Sequence, residues 1–286
     1  MRIPTADVVG IARPISLAPL TVLELGPDEM VDCAARAGFD AVGLRLIRAT
    51  EEEPLRPTIG MTPLIRETRR RLDDTGLALV DIEVLRLTPQ TRVRHDYEAV
   101  VETGAYLGSG QILVTGNDPD HARLTDRLGE LADLAADYGL TPNLEPMPWT
   151  DVVNLQQAAA IVTRCGHPNL GVLVDALHYD RALNTPADLA ALPAEWINYV
   201  QICDGVAERP KTLDALRYQG RNARLFPSGA GNIDLVAMLR ALPSSVPVSI
   251  EAPVLWQAPA LERSRAALRG AREVLELAGT DCRHSA

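Results

Sequence analysis

Short apolar runs and longer amphipathic stretches alternate eight times along this chain. The runs fall near residues 15–20, 40–46, 78–85, 110–115, 140–145, 170–175, 198–203 and 246–251, and they are rich in Val, Ile and Leu. The stretches between them repeat apolar residues at helical spacing, as Leu128, Leu131, Leu134 and Ala135 do. Strand–helix alternation of this kind predicts a parallel sheet wrapped by helices. Eight units of about 30 residues each favour a closed (β/α)8 barrel over an open, doubly wound sheet. No G-x-G-x-x-G follows the first run, so a dinucleotide fold has no positive support. No repeat, linker or low-complexity tract divides residues 1–286, which read as a single barrel domain.

Composition narrows the partners. Hydrophobic residues make up 47% of the 286, enough for a large core, but aromatic ones only 4%, so that core must be aliphatic. A formal charge of −10 argues against a nucleic-acid surface, which is normally basic. It suits a small-molecule substrate. The opening MRIPTADVVGIARPISLAPL has an apolar patch broken by Asp7, Arg13 and two prolines, which spoils an export signal. No apolar run approaches the ~20 residues of a membrane span. The cysteines (Cys33, Cys165, Cys203, Cys282) lack C-x-x-C or zinc-finger spacing, and read as free thiols in a reducing cytoplasm.

Four runs end on groups that suit a hard metal ion. They are NLEPMPW with Glu145, LGVLVDALH with Asp175 and then His178, INYVQICDG with Gln201 and then Asp204, and VPVSIEAP with Glu251. Strand ends converge on one mouth of a barrel, so groups far apart in sequence meet there. Two Glu, one Asp and an amide oxygen are a plausible shell for Mn²⁺ or Mg²⁺. Three carboxylates crowded together are unfavourable without a cation, because like charges cannot all stay ionised. A bound ion would polarise a substrate carbonyl and acidify the neighbouring C–H. Glu145 and Glu251, from separated strands, could then exchange a proton on opposite faces of the substrate.

The surroundings are less specific. Glu83 and Arg86 close the third run and Arg45 the second; they either line a pocket or form an internal salt bridge. Trp149 either supplies a stacking wall or packs beneath its own loop. A long stretch from Asp204 to about Asn232 reads as an irregular, mouth-side loop. It carries Arg209, Lys211, Arg217, Arg221 and Arg224, of which at least one is expected to face substrate.

The segments AGFDAVGLRL, DIEVLRL, LEPMPW, VDALHYDR, YVQICDG, PSGAGNIDL and VSIEAP together resemble the xylose-isomerase-like TIM barrel family of sugar phosphate isomerases and epimerases, over nearly the whole chain. The resemblance implies a divalent metal on Glu145, Asp175, Gln201 and Glu251, an acid/base pair of Glu145 and Glu251, and substrate contacts from His178 and an arginine after strand seven. Arg209 is the nearest match to that arginine and Arg224 its rival. Gln201 departs from the histidine usual in ketose epimerases, which favours Mn²⁺ or Mg²⁺ over Zn²⁺. The leading expectation is an isomerase or epimerase of a sugar or keto-polyol acting through an enediolate. The alternative is a dehydratase of a cyclic keto-polyol such as inosose or dehydroshikimate, and a non-catalytic metal-stabilised partner subunit is the third. Homo-oligomerisation is compatible with each. The related apurinic endonucleases use a histidine-rich site, whereas only His178 of His95, His121, His167, His178 and His284 falls on a ligand segment.

Overall fold

A computed structural model describes residues 13–279. Its strands are β1 (Ile15–Leu17), β2 (Ala41–Arg45), β3 (Ala78–Leu87), β4 (Gln111–Gly116), β5 (Thr141–Glu145), β6 (Gly171–Val172), β7 (Val174–Asp175), β8 (Val200–Ile202) and β9 (Val248–Ile250). All pair in parallel, in the order β6-β5-β4-β3-β2-β1-β9-β8-β7. The two ends of this sheet, β6 and β7, are halves of one extended segment separated by Leu173, whose N–H donates to the Leu144 carbonyl at 3.1 Å. Nine strands therefore fill eight barrel positions, and the sheet nearly closes on itself. The sixth run of the sequence is this split segment.

Alternation along each strand separates two environments. Val200 and Ile202, Val248 and Ile250, and Leu144 join the large apolar layer between barrel and helices. The residues between them point into the lumen. There Leu113, Leu173, Tyr199 and Val84 form a small second cluster. Above it stand Gln201, Ser249 and Glu251. Register sets Asp175 beside Gln201 and Gln201 beside Ser249, so the polar residues form a continuous arc rather than scattered points.

Helices follow the strands at the expected places, from Pro27–Ala37 to Ala260–Leu277. Gly38 (φ 92°) and Gly76 (φ 70°) end the first two helices in the left-handed region that favours glycine. No helix among the described residues is long and apolar enough to cross a membrane. The stretch after β8 differs from the expected irregular loop: it contains a helix, Leu213–Asn222, capped by the Thr212 hydroxyl accepting from Ala215 N–H at 3.2 Å. Its polarity and Gly220 masked it in the sequence. Thr212, Asp214 in the first turn and Leu213, Leu216 and Gly220 on one face were the available signal.

Candidate metal centre and substrate cavity

Glu145 ends β5, Asp175 ends β7, Gln201 lies within β8 and Glu251 follows β9. All four are buried. Asp175 is also the cap of the helix Ala176–Arg181: its Oδ1 accepts from the His178 N–H at 2.9 Å. That turn brings the His178 ring back over the mouth, with Nε2 3.7 Å from Glu145 Oε1 and Nδ1 3.6 Å from Asp175 Oδ1. Glu145, Asp175 and His178 offer ligand atoms all within 4.8 Å of one another and could hold a metal ion.

Arg224 reaches this cluster from the long connection after β8. Its Nη1 lies 2.6 Å from Asp175 Oδ2 and its Nη2 2.7 Å from Glu251 Oε2. Nε donates to the Gly220 carbonyl at 2.7 Å, fixing the side chain to the end of the preceding helix. Gln201 Nε2 donates to Glu251 Oε1 at 3.4 Å, which leaves Gln201 Oε1 as the free end of the amide. That oxygen and Glu145 Oε1 are buried without a hydrogen-bond partner. Buried polar atoms are normally satisfied. Two orphaned oxygens beside two carboxylates fit an oxygen-preferring cation.

The electrostatics agree. Burial, then the charges of Glu251 and Asp175, holds the Glu145 carboxyl well above its usual range. Burial raises Glu251 to about 7 even with Arg224 beside it. At Asp175 burial acts in the same direction but the Arg224 and His178 charges outweigh it, so its carboxyl is lowered. Below this ring, burial lifts Asp81 and Glu83 to about 7 each, although Tyr199 donates to Asp81 Oδ2 at 3.1 Å. The lumen carries more carboxylate than its arginines offset.

A cavity of about 890 Å³ opens over the cluster, lined among others by Glu145, His178, Glu251, Glu83, Trp149 and Arg224. Trp149 meets the His178 ring edge-on at 4.8 Å between centroids. It also covers Gly220, where a Cβ would lie 2.4 Å from Trp149 Cη2, so wall and packing roles coincide. Glu83 lines the cavity while sitting 3.5 Å from Arg45, which holds Glu53 at 2.8 Å. Arg224 is in the site. Arg209 is outside it: its Nε donates to the Arg181 carbonyl at 2.8 Å, and its guanidinium does not line the cavity. Asp204 is likewise taken up elsewhere, accepting from the N–H groups of Gly205, Gly231 and Ile233 and so clamping the PSGAG turn. Asp81, Met147 and the whole helix under Arg217 and Arg221 were not singled out as site parts from sequence. The alternation of VDIEV pointed both Asp81 and Glu83 inward and could have found the first.

Burial pushes the Cys203 thiol up to about 12, favouring the protonated form, although Arg224 Nη1 lies 3.5 Å from its sulfur. Cys282 and His284 lie outside the described residues.

A parallel barrel that gathers Glu145, Asp175, Gln201 and Glu251 from β5, β7, β8 and the end of β9 at one mouth defines a class of barrel whose buried acids could hold a metal ion. Residues 31–274 match the profile of the xylose isomerase-like TIM barrel family, and the chain belongs to that family. Two curated relatives are each named 3-dehydroshikimate dehydratase. The one from Pseudomonas aeruginosa is 31% identical over 238 residues, covering 78% of this chain and 35% of the relative. The one from Pseudomonas putida is 28% identical over 223 residues, covering 74% and 33%. The chain thus spans about a third of the length of these relatives. A solved structure of the IOLI protein with a zinc atom bound superposes with TM-score 0.75 over 92% of this chain and 98% of that one. At 19% identity that likeness shows the fold alone.

Proposed function

We propose that the protein is a divalent-metal-dependent dehydratase acting on a cyclic hydroxy-ketone acid of the 3-dehydroshikimate kind. The observation that carries the reading is the buried arc of Glu145, Asp175, Gln201 and Glu251 with its orphaned Gln201 and Glu145 oxygens, on a chain 31% identical to a protein of that name. This reverses the order of the two enzymatic expectations: the lyase now stands ahead of the epimerase.

Glu145, Asp175, Gln201 and Glu251 would hold the ion, Mn²⁺ or Mg²⁺ by the hardness of their oxygens. Bound there, it would polarise the substrate ketone and make the adjacent C–H acidic. His178 is the proton carrier. Arg224 Nη2 lies 3.5 Å from His178 Nε2, and a guanidinium can only donate. That contact fits a ring with its lone pair on Nε2, and burial lowers His178 to about 4, so the ring is neutral at pH 7 and can accept a proton. It takes the proton from the carbon next to the ketone. The electron pair forms a C=C bond, the C–O bond to the hydroxyl one carbon further breaks, and the same imidazole returns its proton to the leaving oxygen as water. Trp149 orients the ring edge-on and shields the exchange from bulk solvent. For 3-dehydroshikimate the loss of water leads to an aromatic dihydroxybenzoate.

Metal-loaded protein mixed with 3-dehydroshikimate should develop the ultraviolet absorbance of that aromatic product. Exchange of solvent deuterium into recovered substrate, with no absorbance, would replace this reading by the epimerase. Glu145 and Glu251 both line the cavity, and as the pair that two-base chemistry would use they are the observation that favours that second reading.

A further inference from the structure

Five arginines line the cavity: Arg45, Arg86, Arg217, Arg221 and Arg224. Three have acidic partners. Arg45 holds Glu53 and Glu83, Arg224 holds Asp175 and Glu251, and Arg217 holds Asp214. Arg86 and Arg221 are half-buried, and among the described residues neither guanidinium has a hydrogen bond or ion pair.

We propose that Arg86 and Arg221 form an anion subsite that receives the carboxylate of the substrate while its ketone faces the metal centre. The subsite deepens the proposed function and rests on it for the choice of carboxylate.

The backbone on both sides is fixed while the charged ends are free. Arg86 stands at the end of β3, and its main chain is pinned by Tyr97, whose hydroxyl accepts from Arg86 N–H at 3.1 Å and donates to Arg86 O at 2.5 Å. Arg221 follows Gly220, which Trp149 covers and whose carbonyl Arg224 Nε binds. The two arginines come from separate elements and meet only across the cavity. Burial depresses both guanidiniums, and the nearest charges act the same way: Arg45 on Arg86, and Arg86 on Arg221. Two acids act electrostatically on the pair, neither as an ion-pair partner: Glu53, already engaged by Arg45 and by the Ala49 N–H, and Glu52, which senses Arg221. Glu52 lies exposed at the rim. Thr88, Asn117 and Asn222 add neutral polar groups to the lining.

Guanidinium donors are planar and fixed in a fork that matches a carboxylate. Two such forks without acceptors cost free energy when half-desolvated, and a ligand carboxylate relieves it. A neutral sugar or keto-polyol would not. The subsite therefore selects acids over uncharged sugars at a distance from the bond that breaks.

The test compares 3,4-dihydroxybenzoate with catechol, which differ by the carboxylate alone, by calorimetry on the metal-loaded full chain. Wild type is expected to bind the acid about tenfold tighter or more, as charge-assisted pairing implies. Arg86→Gln or Arg221→Gln should bring that preference to within about threefold, and Arg→Lys at each position should restore part of it. Catechol affinity should hold in all variants, which reports an intact fold and metal centre. A preference unchanged in both Gln variants, or absent from wild type, overturns the subsite. Inorganic phosphate displacing the acid more readily than benzoate does would overturn the carboxylate assignment. If 3-dehydroshikimate is never turned over while the arginine-dependent preference persists, the reaction fails and the subsite stands. Turnover with an arginine-independent preference is the converse.

Discussion

Arg224 joins two strand ends that share no backbone hydrogen bond, with Asp175 Oδ2 at 2.6 Å from Nη1 and Glu251 Oε2 at 2.7 Å from Nη2. β7 and β9 are separated by β8 in the sheet, so this one side chain braces the mouth across a strand. Breaking a buried pair by removing one partner typically costs about 3–5 kcal/mol. Arg224→Met should therefore lower the melting temperature of metal-free protein by several degrees. Added Mn²⁺ should recover part of the loss, because a cation can replace the missing positive charge. An unchanged melting temperature would show that the brace carries no weight.

Gln201 tests the metal shell without removing a charge. Gln201→Leu keeps much of the volume and deletes the free amide oxygen. Even outer-shell changes around metal sites cost about 10–100-fold in affinity, so a Mn²⁺ affinity weakened by at least tenfold is expected in a titration. Gln201→His should shift preference towards Zn²⁺, a better partner for imidazole. Affinity indifferent to both changes would take Gln201 out of the shell.

His178 separates two donor sets. In the proposed reaction it carries a proton, and His178→Asn should lower kcat by about 10²–10⁴-fold, the usual scale of general acid–base catalysis, with metal content unchanged. Loss of the metal from the same variant, measured by elemental mass spectrometry, would instead move His178 into the compact triad with Glu145 and Asp175.

The pH dependence of the metal-free protein has a definite sign. Burial raises Asp81, Glu83 and Glu251 to about 7, and raises Glu145 as well. Between their ordinary values near 4 and these folded values, the folded state holds more protons than the unfolded chain, so stability falls as pH rises. The melting temperature should drop between pH 5 and about pH 7.5. Saturating Mn²⁺ should flatten that slope, since a bound cation favours the ionised carboxylates. A rise across the same window in metal-free protein would contradict the buried-acid account.

The barrel and its mouth were legible because they rest on two periodicities, strand alternation and the recurrence of strand ends. Glu145, Asp175, Gln201 and Glu251 needed only that strands in a barrel point one way. The arginines were not legible, because nothing in a connection of nearly 30 residues fixes which of five side chains turns inward. Arg209 lies closer in sequence to β8 but is spent on the Arg181 carbonyl, whereas Arg224 returns beside Asp204 through the pairing of that residue with Leu225. That return depends on the helix Leu213–Asn222, whose polar face hid it. The choice between elimination and epimerisation was also beyond sequence patterning, since both begin with the same proton abstraction.

The arc of Glu145, Asp175, Gln201 and Glu251 occupies only the later half of the barrel, from β5 onward, while β1 to β4 contribute the Arg45–Glu83 pair, Arg86 and the Thr88 and Asn117 lining. Arg217, Arg221 and Trp149, from the later half, share the cavity wall with them. The early strands thus carry none of the four converging groups, and their loops and side chains can be exchanged to suit a new ring or a new charge without touching Glu145, Asp175, Gln201 or Glu251.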